Sequence, residues 1–562
     1  MGTLDWIVVG VFCLFLIGIV YWVIKQKQKD SADYFLGGRD ATWIAIGASI
    51  FASNIGSEHL IGLAGAGASS GMAMAHWEIQ GWMILILGWV FVPFYSRSMV
   101  YTMPEFLERR YNPQSRTILS VISLLSYVLT KVAVTVYAGG LVFQQVFGIK
   151  ELWGIDFFWI AAIGLVLITA IYTVFGGMKS VLYTSVLQTP ILLLGSLIIL
   201  VLGFRELGGW DEMMKMCGAV TVNDYGDSMT SLIRSNSDAN FPWLGALVGS
   251  AIIGFWYWCT DQYIVQRVLS GKNEREARRG AIFGAYLKLL PVFLFLIPGM
   301  IAFALHQKML PDGGFLPLLG SGNVNADAAF PTLVAKLLPA GLKGLVVCGI
   351  LAALMSSLAS LFNSSAMLFT IDFYKRFKPQ TPEKKLVRIG QMATVVIVVL
   401  GILWIPIMRG VGDVLYTYLQ DVQSVLAPGI AAAFLLGICW KRTSAQGGMW
   451  GLIAGLVIGL TRLGAKVYYS IAADSGSSLF KYLFYDINWL FFCGWMFLFC
   501  IIVVIAVSYA TSAPSADKIQ GLVFGTVTPE QKANTRTSWT HWDIIHTVII
   551  LAITAVFYWY FW

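Results

Sequence analysis

One apolar run of this chain reads WIAIGASIFASNIGSEHLIGLAGAGASSGMA, and the polar residues Ser53, Asn54, Ser57, Glu58 and His59 stand in its middle with glycines on both sides. A helix facing hydrocarbon does not carry a carboxylate and an imidazole there; such groups face a cavity or a partner. Backbone is broken at that depth only where the freed N–H and C=O groups line a cavity. Breaks of that kind bind solutes and ions. Close packing through small residues explains Gly62, Gly65 and Gly67 equally well, but not Glu58 and His59. A second run, Leu351-Ala-Ala-Leu-Met-Ser-Ser-Leu-Ala-Ser360, places Ala353, Ser356 and Ser357 at i, i+3 and i+4, one helix face. Two hydroxyls with nearby carbonyls offer the oxygen ligands that a hard cation prefers. A serine pair more often bonds back to its own helix, so the pair alone does not define a site. Further runs hold Glu78 after His76 and Trp77, Lys288 in AYLKLLP, the group Tyr257, Trp258, Asp261 and Gln262, and Gln420. Together these supply donors, acceptors and aromatic faces. An uncharged polyol needs all three, since its hydroxyls both donate and accept while its C–H face lies on a ring.

The elements that must position these groups are spans. Of 562 residues, 57% are hydrophobic and 12% charged, against roughly 25% charged in soluble domains. A span needs about 20 apolar residues. The runs predict an all-α, polytopic membrane protein of about fourteen helices, at 4–24, 44–66, 76–97, 117–147, 155–176, 181–204, 243–268, 279–305, 343–372, 387–407, 413–438, 447–465, 486–508 and 543–561. The start lacks a signal peptide's basic residues and cleavage site, so 4–24 is expected to remain as a span. Placing both termini outside the plasma (inner) membrane puts most of the 38 basic residues on the cytoplasmic face. The net charge of +8 then belongs to those loops and not to a nucleic-acid surface. In the loop 205–242, Glu206, Asp211, Glu212, Asp224, Asp227 and Asp238 outnumber Arg205, Lys215 and Arg234, as expected outside. Six of the seven cysteines fall in or beside apolar runs, with Cys217 in the loop, and none has metal or redox spacing. No Walker motif and no nucleophile–base pair is visible, which argues against an ATP-driven pump and an enzyme. No obligate protein partner is evident; the expected partners are the bilayer and a small solute.

These segments resemble the sodium/solute symporter family, and in particular its sodium/glucose branch of bacterial galactose-type and animal glucose cotransporters. The residues that carry the resemblance are FASNIGSEHLIGLAGAGASSG (51–71), GWVFVPFY (88–95), YTMPEFLERRY (101–111), WYWCTDQYIVQR (256–267), YLKLLP (286–291), LMSSLASLFNSSAMLFTIDFY (354–374) and FLLGICWKR (434–442). The resemblance implies a LeuT-type fold of two inverted five-helix repeats, 44–204 and 243–438. An N-terminal flanking segment 1–43, the extracellular loop 205–242 and C-terminal flanking helices 439–562 complete it. It implies a sodium site of the Ala52, Ile55 and Ala353 carbonyls and the Ser356 and Ser357 hydroxyls. It places a sugar on His59, Glu78, Lys288 and Gln420, with Tyr257 closing the inner side beside Trp258 and Tyr416 as an outer gate. Some positions depart from the family. His59 stands where bacterial sugar members can carry Gln. Gly254 and Gly81 stand where a galactose member has Asn and Ser. Ser185 replaces an aspartate, and Ala359 a hydroxyl residue, at a proposed second sodium site, so one sodium per solute is expected. The implied function is sodium-coupled symport of a neutral, glucose- or galactose-like sugar by alternating access. The alternative is symport of myo-inositol or another small polar solute, such as an amino acid or a carboxylate. A membrane sensor would need a signalling module, and residues after 508 form only a loop and a span.

Overall fold

A computed structural model describes the chain except residues 27–29, 57, 320–321, 409–414 and 472–477 and the side chains of 129–130, 145, 312, 404–405, 407–408, 415–419 and 470–471. Lipid offers no partner to a bare N–H or C=O, so apolar runs satisfy their backbone internally as helices. Among the described residues eleven helices are long and apolar enough to cross a membrane: Thr3–Lys25, Gly71–Ser98, Phe157–Leu207, Trp243–Thr260, Glu274–Lys308, Leu342–Phe377, Glu383–Leu403, Gln420–Cys439, Ala445–Tyr469, Trp489–Ala510 and His541–Tyr560. Two shorter apolar helices are Trp43–Asn54 and Ala133–Gln144. A two-stranded antiparallel ribbon, Glu151–Leu152 with Ile155–Asp156, is the sheet among the described residues.

The 51 residues of Phe157–Leu207 would reach about 77 Å as one straight helix at about 1.5 Å per residue, far more than one crossing. The helix turns at Gly177, with φ 56° and ψ −149°. A side chain there would strike the carbonyl of Tyr34 at 2.5 Å, so the corner requires glycine. The two expected spans 155–176 and 181–204 are the arms of this one bent element.

Leu342–Met367 is buried almost throughout and packs on Phe157–Leu207 and on Trp43–Asn54, which also lies along Glu274–Lys288. The outermost helices instead expose Leu14, Phe15, Leu498, Ile502 and Trp559, an apolar surface suited to lipid. Gly67 and Gly299 let Ala64–Ser69 and Ile297–Lys308 approach backbone to backbone, the small-residue packing expected for that glycine run.

Both ends of the bundle are tied by polar groups. At one end Asp372 accepts hydrogen bonds from Thr102 Oγ1 (2.8 Å), Arg116 Nε (2.8 Å) and Ser120 Oγ (3.0 Å). At the other the segment 219–242 folds over the bundle. The Met72 N–H donates to the Met229 carbonyl (2.9 Å), Arg234 donates to the Ser70 carbonyl, and the Leu232 N–H donates to the Phe561 carbonyl (2.9 Å). Burial alone would raise the pKa of Asp238 in this cover. Bonds from the Phe241 N–H (2.6 Å), Asn223 Nδ2 (2.6 Å) and the Asn240 N–H (2.8 Å) outweigh it and hold the carboxyl below its ordinary range. His76 completes the cover, with Nε2 at 3.1 Å from the Leu232 carbonyl and Nδ1 at 3.0 Å from the Tyr558 hydroxyl.

Candidate functional site

Trp43–Asn54 stops at Ile55, whose φ −80° and ψ 106° are extended. The chain resumes helical form in a π-helical turn, Glu58–Leu63, followed by Ala64–Ser69. The interruption thus falls after Asn54, where the polar cluster placed it. Carbonyls at the break turn to side chains on other helices. The Ser357 hydroxyl is 3.0 Å from the Ser53 carbonyl and 3.1 Å from that of Ile55, and Tyr263 donates to the Ser53 carbonyl as well. Ala52 and Ala353 are both buried on the same pair of packed helices. Ser356 Oγ lies 3.3 Å from Ser185 Oγ, which donates to the Val181 carbonyl at 2.7 Å. The structure therefore brings Ser357 directly onto Ile55 and gathers Ala52, Ala353 and Ser356 at the same helix crossing. The Ser53 carbonyl had not been anticipated. Gly56 has the Glu58 carboxyl and the Ser357 hydroxyl crowded against the same side of its Cα, so the Glu58 side chain lies beside these oxygens. Ser57 lies outside the described residues.

The Trp243–Phe255 helix passes into a π-helical turn, Trp256–Thr260, and breaks at Asp261, with ψ 126°, before Gln262–Leu269. The wide turn points Tyr257 and Trp258 at the first break. Asn54 Nδ2 donates to the Tyr257 hydroxyl (3.2 Å), and its Oδ1 accepts from Lys288 Nζ (3.1 Å). Lys288 Nζ also meets Glu78 Oε2 at 2.6 Å, and His59 Nε2 lies 3.3 Å from that oxygen. The Lys288 ammonium sits 5.3 Å from the centre of the Trp258 ring, which meets Tyr257 edge to face at 4.9 Å. His59, Glu78, Tyr257, Trp258, Lys288 and Gln420 line one cavity together with Asn54 and Glu58. The Gln420 side chain is buried and its Oε1 has no hydrogen-bond partner among the described residues. The side chain of Tyr416 lies outside the described residues.

The cavity is about 60 Å³, room for a couple of waters at about 30 Å³ each and well short of the ~300 Å³ at which small-molecule pockets begin. Its polar walls bond to one another. Anything larger than water would have to part these walls and replace those bonds.

Lys131 was not singled out from the sequence, although a lysine inside the run 117–147 carries the same signal as Lys288. Its ammonium meets Asp261 Oδ2 at 2.6 Å and lies 4.7 Å from the Tyr257 ring centre and 4.8 Å from that of Tyr263. Lys131 is thus paired with Asp261 and Lys288 with Glu78, while Glu58 lines the same cavity. The two glycines that depart from the galactose pattern have local reasons. The Gln80 amide fills the space a side chain at Gly254 would take, and Gly81 packs against the Ala285 carbonyl, 2.8 Å from where a Cβ would be.

Known proteins place this architecture. Human sodium/myo-inositol cotransporter 2 is 38% identical over 538 residues, covering 93% of this chain and 79% of the relative. Mouse sodium/glucose cotransporter 4 is 36% identical over 542 residues, covering 94% and 78%. Rat sodium/glucose cotransporter 2 is 37% identical over 545 residues, covering 92% and 80%. Among solved structures, a Na+-coupled sialic acid symporter in a substrate-bound outward-open state superposes with a TM-score of 0.72 at 22% identity, covering 92% of this chain and 99% of that one. At that identity the likeness is one of fold. Residues 34–455 match the profile described as the Sodium:solute symporter family. Two facing helix breaks, a buried polar cavity between them and a family match over most of the sequence lead to one conclusion: this chain belongs to the sodium:solute symporter family, multi-pass membrane transporters, not enzymes, that move a solute together with Na+.

Proposed function

We propose that the solute is a neutral sugar, glucose- or galactose-like, carried into the cell with sodium. The observation that carries this reading is the chain Tyr257–Asn54–Lys288–Glu78–His59, with Gln420, whose Oε1 has no partner among the described residues, lining the same cavity. It alternates donors and acceptors beside the Trp258 face, as a ring of hydroxyls requires. A carboxylate solute would have to share the cavity with the acidic side chains Glu58 and Glu78, and the lysines there are already paired, Lys288 with Glu78 and Lys131 with Asp261. Myo-inositol is a second reading with equal support: it is also a ring polyol, and the relatives include cotransporters named for it and for glucose.

Sodium would bind at the Ala52, Ile55 and Ala353 carbonyls with the Ser356 and Ser357 hydroxyls, joined by the Ser53 carbonyl. One ion per solute fits Ser185 and Ala359, since Ser185 lacks the charge of the family's aspartate and Ala359 offers no side-chain oxygen. Tyr257 would act as the inner gate and Tyr416 as the outer one. Proteoliposomes loaded with labelled glucose, galactose and myo-inositol, with reversal potentials taken at several sodium ratios, test solute and stoichiometry together. Accumulation of none of the three removes the polyol reading, and a slope for two ions removes the single site. In the same liposomes Tyr257→Ala is expected to keep its melting temperature and sodium binding while losing accumulation. Normal accumulation would make Tyr257 a core filler.

The fourteen-span, 5+5 inverted-repeat arrangement, with repeats 44–204 and 243–438, belongs to this reading. It would count the eleven long helices among the described residues, divide Phe157–Leu207 at Gly177 and add the two shorter apolar helices. External termini follow from the loop charges. A protease site added at the N-terminus should be cut from outside intact cells.

A further inference from the structure

The surface toward lipid carries a groove of about 770 Å³ that the transport site does not use. Leu124, Leu125 and Val128 form one wall, Phe369 and Tyr374 a second, and the helix Glu383–Met408 the third, with Ile389, Met392, Val396, Leu400 and Leu403 facing in. That spacing of three and four continues back along the helix to Lys385. Residues 389 to 403 span about 21 Å at about 1.5 Å per residue, longer than the ~15 Å of one leaflet's hydrocarbon.

The mouth of the groove is strongly basic. Between Tyr374 and Ile389 lie Lys375, Arg376, Lys378, Lys384, Lys385 and Arg388, against a single acid, Glu383. Glu383 is already engaged, by Lys375 at 3.6 Å and by the Ser31 N–H at 3.0 Å. Arg376 donates to the Pro113 carbonyl at 3.3 Å. Lys384, Lys385 and Arg388 are exposed, and among the described residues none of them meets a carboxylate. Phe377, 80% exposed, stands in the same cluster, an apolar ring among cations at the level of the headgroups. A concave apolar channel of leaflet length, opening on three unpaired cations, has the shape and charge of one ligand class.

We propose that this groove is a binding site for one anionic phospholipid of the surrounding bilayer, its phosphate held by Lys384, Lys385 and Arg388 and one acyl chain lying along residues 389–403. Charge without the groove would attract any anionic surface diffusely. The groove without charge would hold any lipid. Their continuity along one helix, with Lys385 on the groove face and Lys384 and Arg388 at its end, selects a phospholipid that has both.

Native mass spectrometry of the full chain, titrated with phosphatidylglycerol and with phosphatidylcholine of the same acyl chains, tests this. The native protein is expected to retain phosphatidylglycerol at least about tenfold more tightly, three bases near a headgroup allowing up to about a hundredfold. Replacing all three by glutamine (Lys384→Gln, Lys385→Gln, Arg388→Gln) should abolish the preference. Val396→Trp, which fills the groove and keeps every charge, should abolish retention; if it fails to fold, Met392→Trp obstructs the same channel. No headgroup preference in the native protein overturns the proposal. So does undiminished retention by the folded groove-filled variant, which would leave only diffuse attraction, or a mass showing that a second copy of the chain occupies the groove.

Discussion

Ser357→Ala is expected to raise the sodium concentration for half-maximal uptake at least about tenfold, with solute uptake no longer driven by a sodium gradient. The hydroxyl spans the break, 3.0 Å from the Ser53 carbonyl and 3.1 Å from that of Ile55. Its removal takes one oxygen from the proposed ion site and the side-chain donor from the buried Ile55 carbonyl, while the Ser53 carbonyl keeps Tyr263. A buried group left unsatisfied costs about 1–3 kcal/mol, and about 1.4 kcal/mol is already tenfold in affinity. Ser357→Thr keeps the hydroxyl and should retain coupling. Ser360→Ala is the local control: Ser360 bonds to Ser53 Oγ at 2.7 Å and not to the break, so its loss should leave sodium dependence near normal. Sodium titrations of uptake in liposomes, on variants of native melting temperature, decide the matter. Native sodium dependence in Ser357→Ala would remove the assignment.

The second large effect lies on the solute side. Glu78→Gln or Lys288→Met alone strands a charge inside the bundle, since the two meet at 2.6 Å and both are almost wholly buried. Breaking such a pair by removing one partner costs about 3–5 kcal/mol, whereas replacing both together is often close to neutral. Each single variant is therefore expected to melt at clearly lower temperature, and the double variant to recover most of the loss. Solute binding should not recover with it, because the proposed sugar contacts are gone. Calorimetric titration with solute, run beside thermal melts of all three, separates the two roles. Restored binding in the double variant would confine the pair to stability. Single variants as stable as the native chain would show that the charges are not coupled.

The breaks were legible because hydrocarbon punishes polarity. Glu58 and His59 amid glycines admit no lipid-facing helix, and the discontinuity at Ile55 follows. The Ser356/Ser357 face was legible from i, i+3, i+4 spacing alone. The backbone partners were not, since every residue carries a carbonyl and nothing in a sequence marks that of Ser53 as turned outward. Lys131 was visible yet unweighted, because its meaning depends on Asp261, 130 positions away. The corner at Gly177 looked like a loop between two spans, for a glycine in an apolar run announces a bend without its angle. The folding of 219–242 over the bundle depends on long-range bonds such as Arg234 to Ser70, which no local pattern encodes.

That cover has a consequence for biosynthesis. His76 and Tyr558, joined at 3.0 Å, are 482 positions apart, and the Leu232 N–H bonds to the Phe561 carbonyl. Spans enter the membrane in order as the ribosome delivers them, so the residues beside Trp77 are inserted long before their last tether exists. Until the helix His541–Tyr560 and Phe561 arrive, His76 can bond to the Leu232 carbonyl but lacks the Tyr558 hydroxyl, and the Leu232 N–H lacks its acceptor. A nascent chain halted before that helix would hold both helix breaks and every residue of the proposed ion site while remaining open on one side. Closure of this cover therefore waits on the helix His541–Tyr560 and on Phe561 beyond it, whatever the order in which the earlier spans pack.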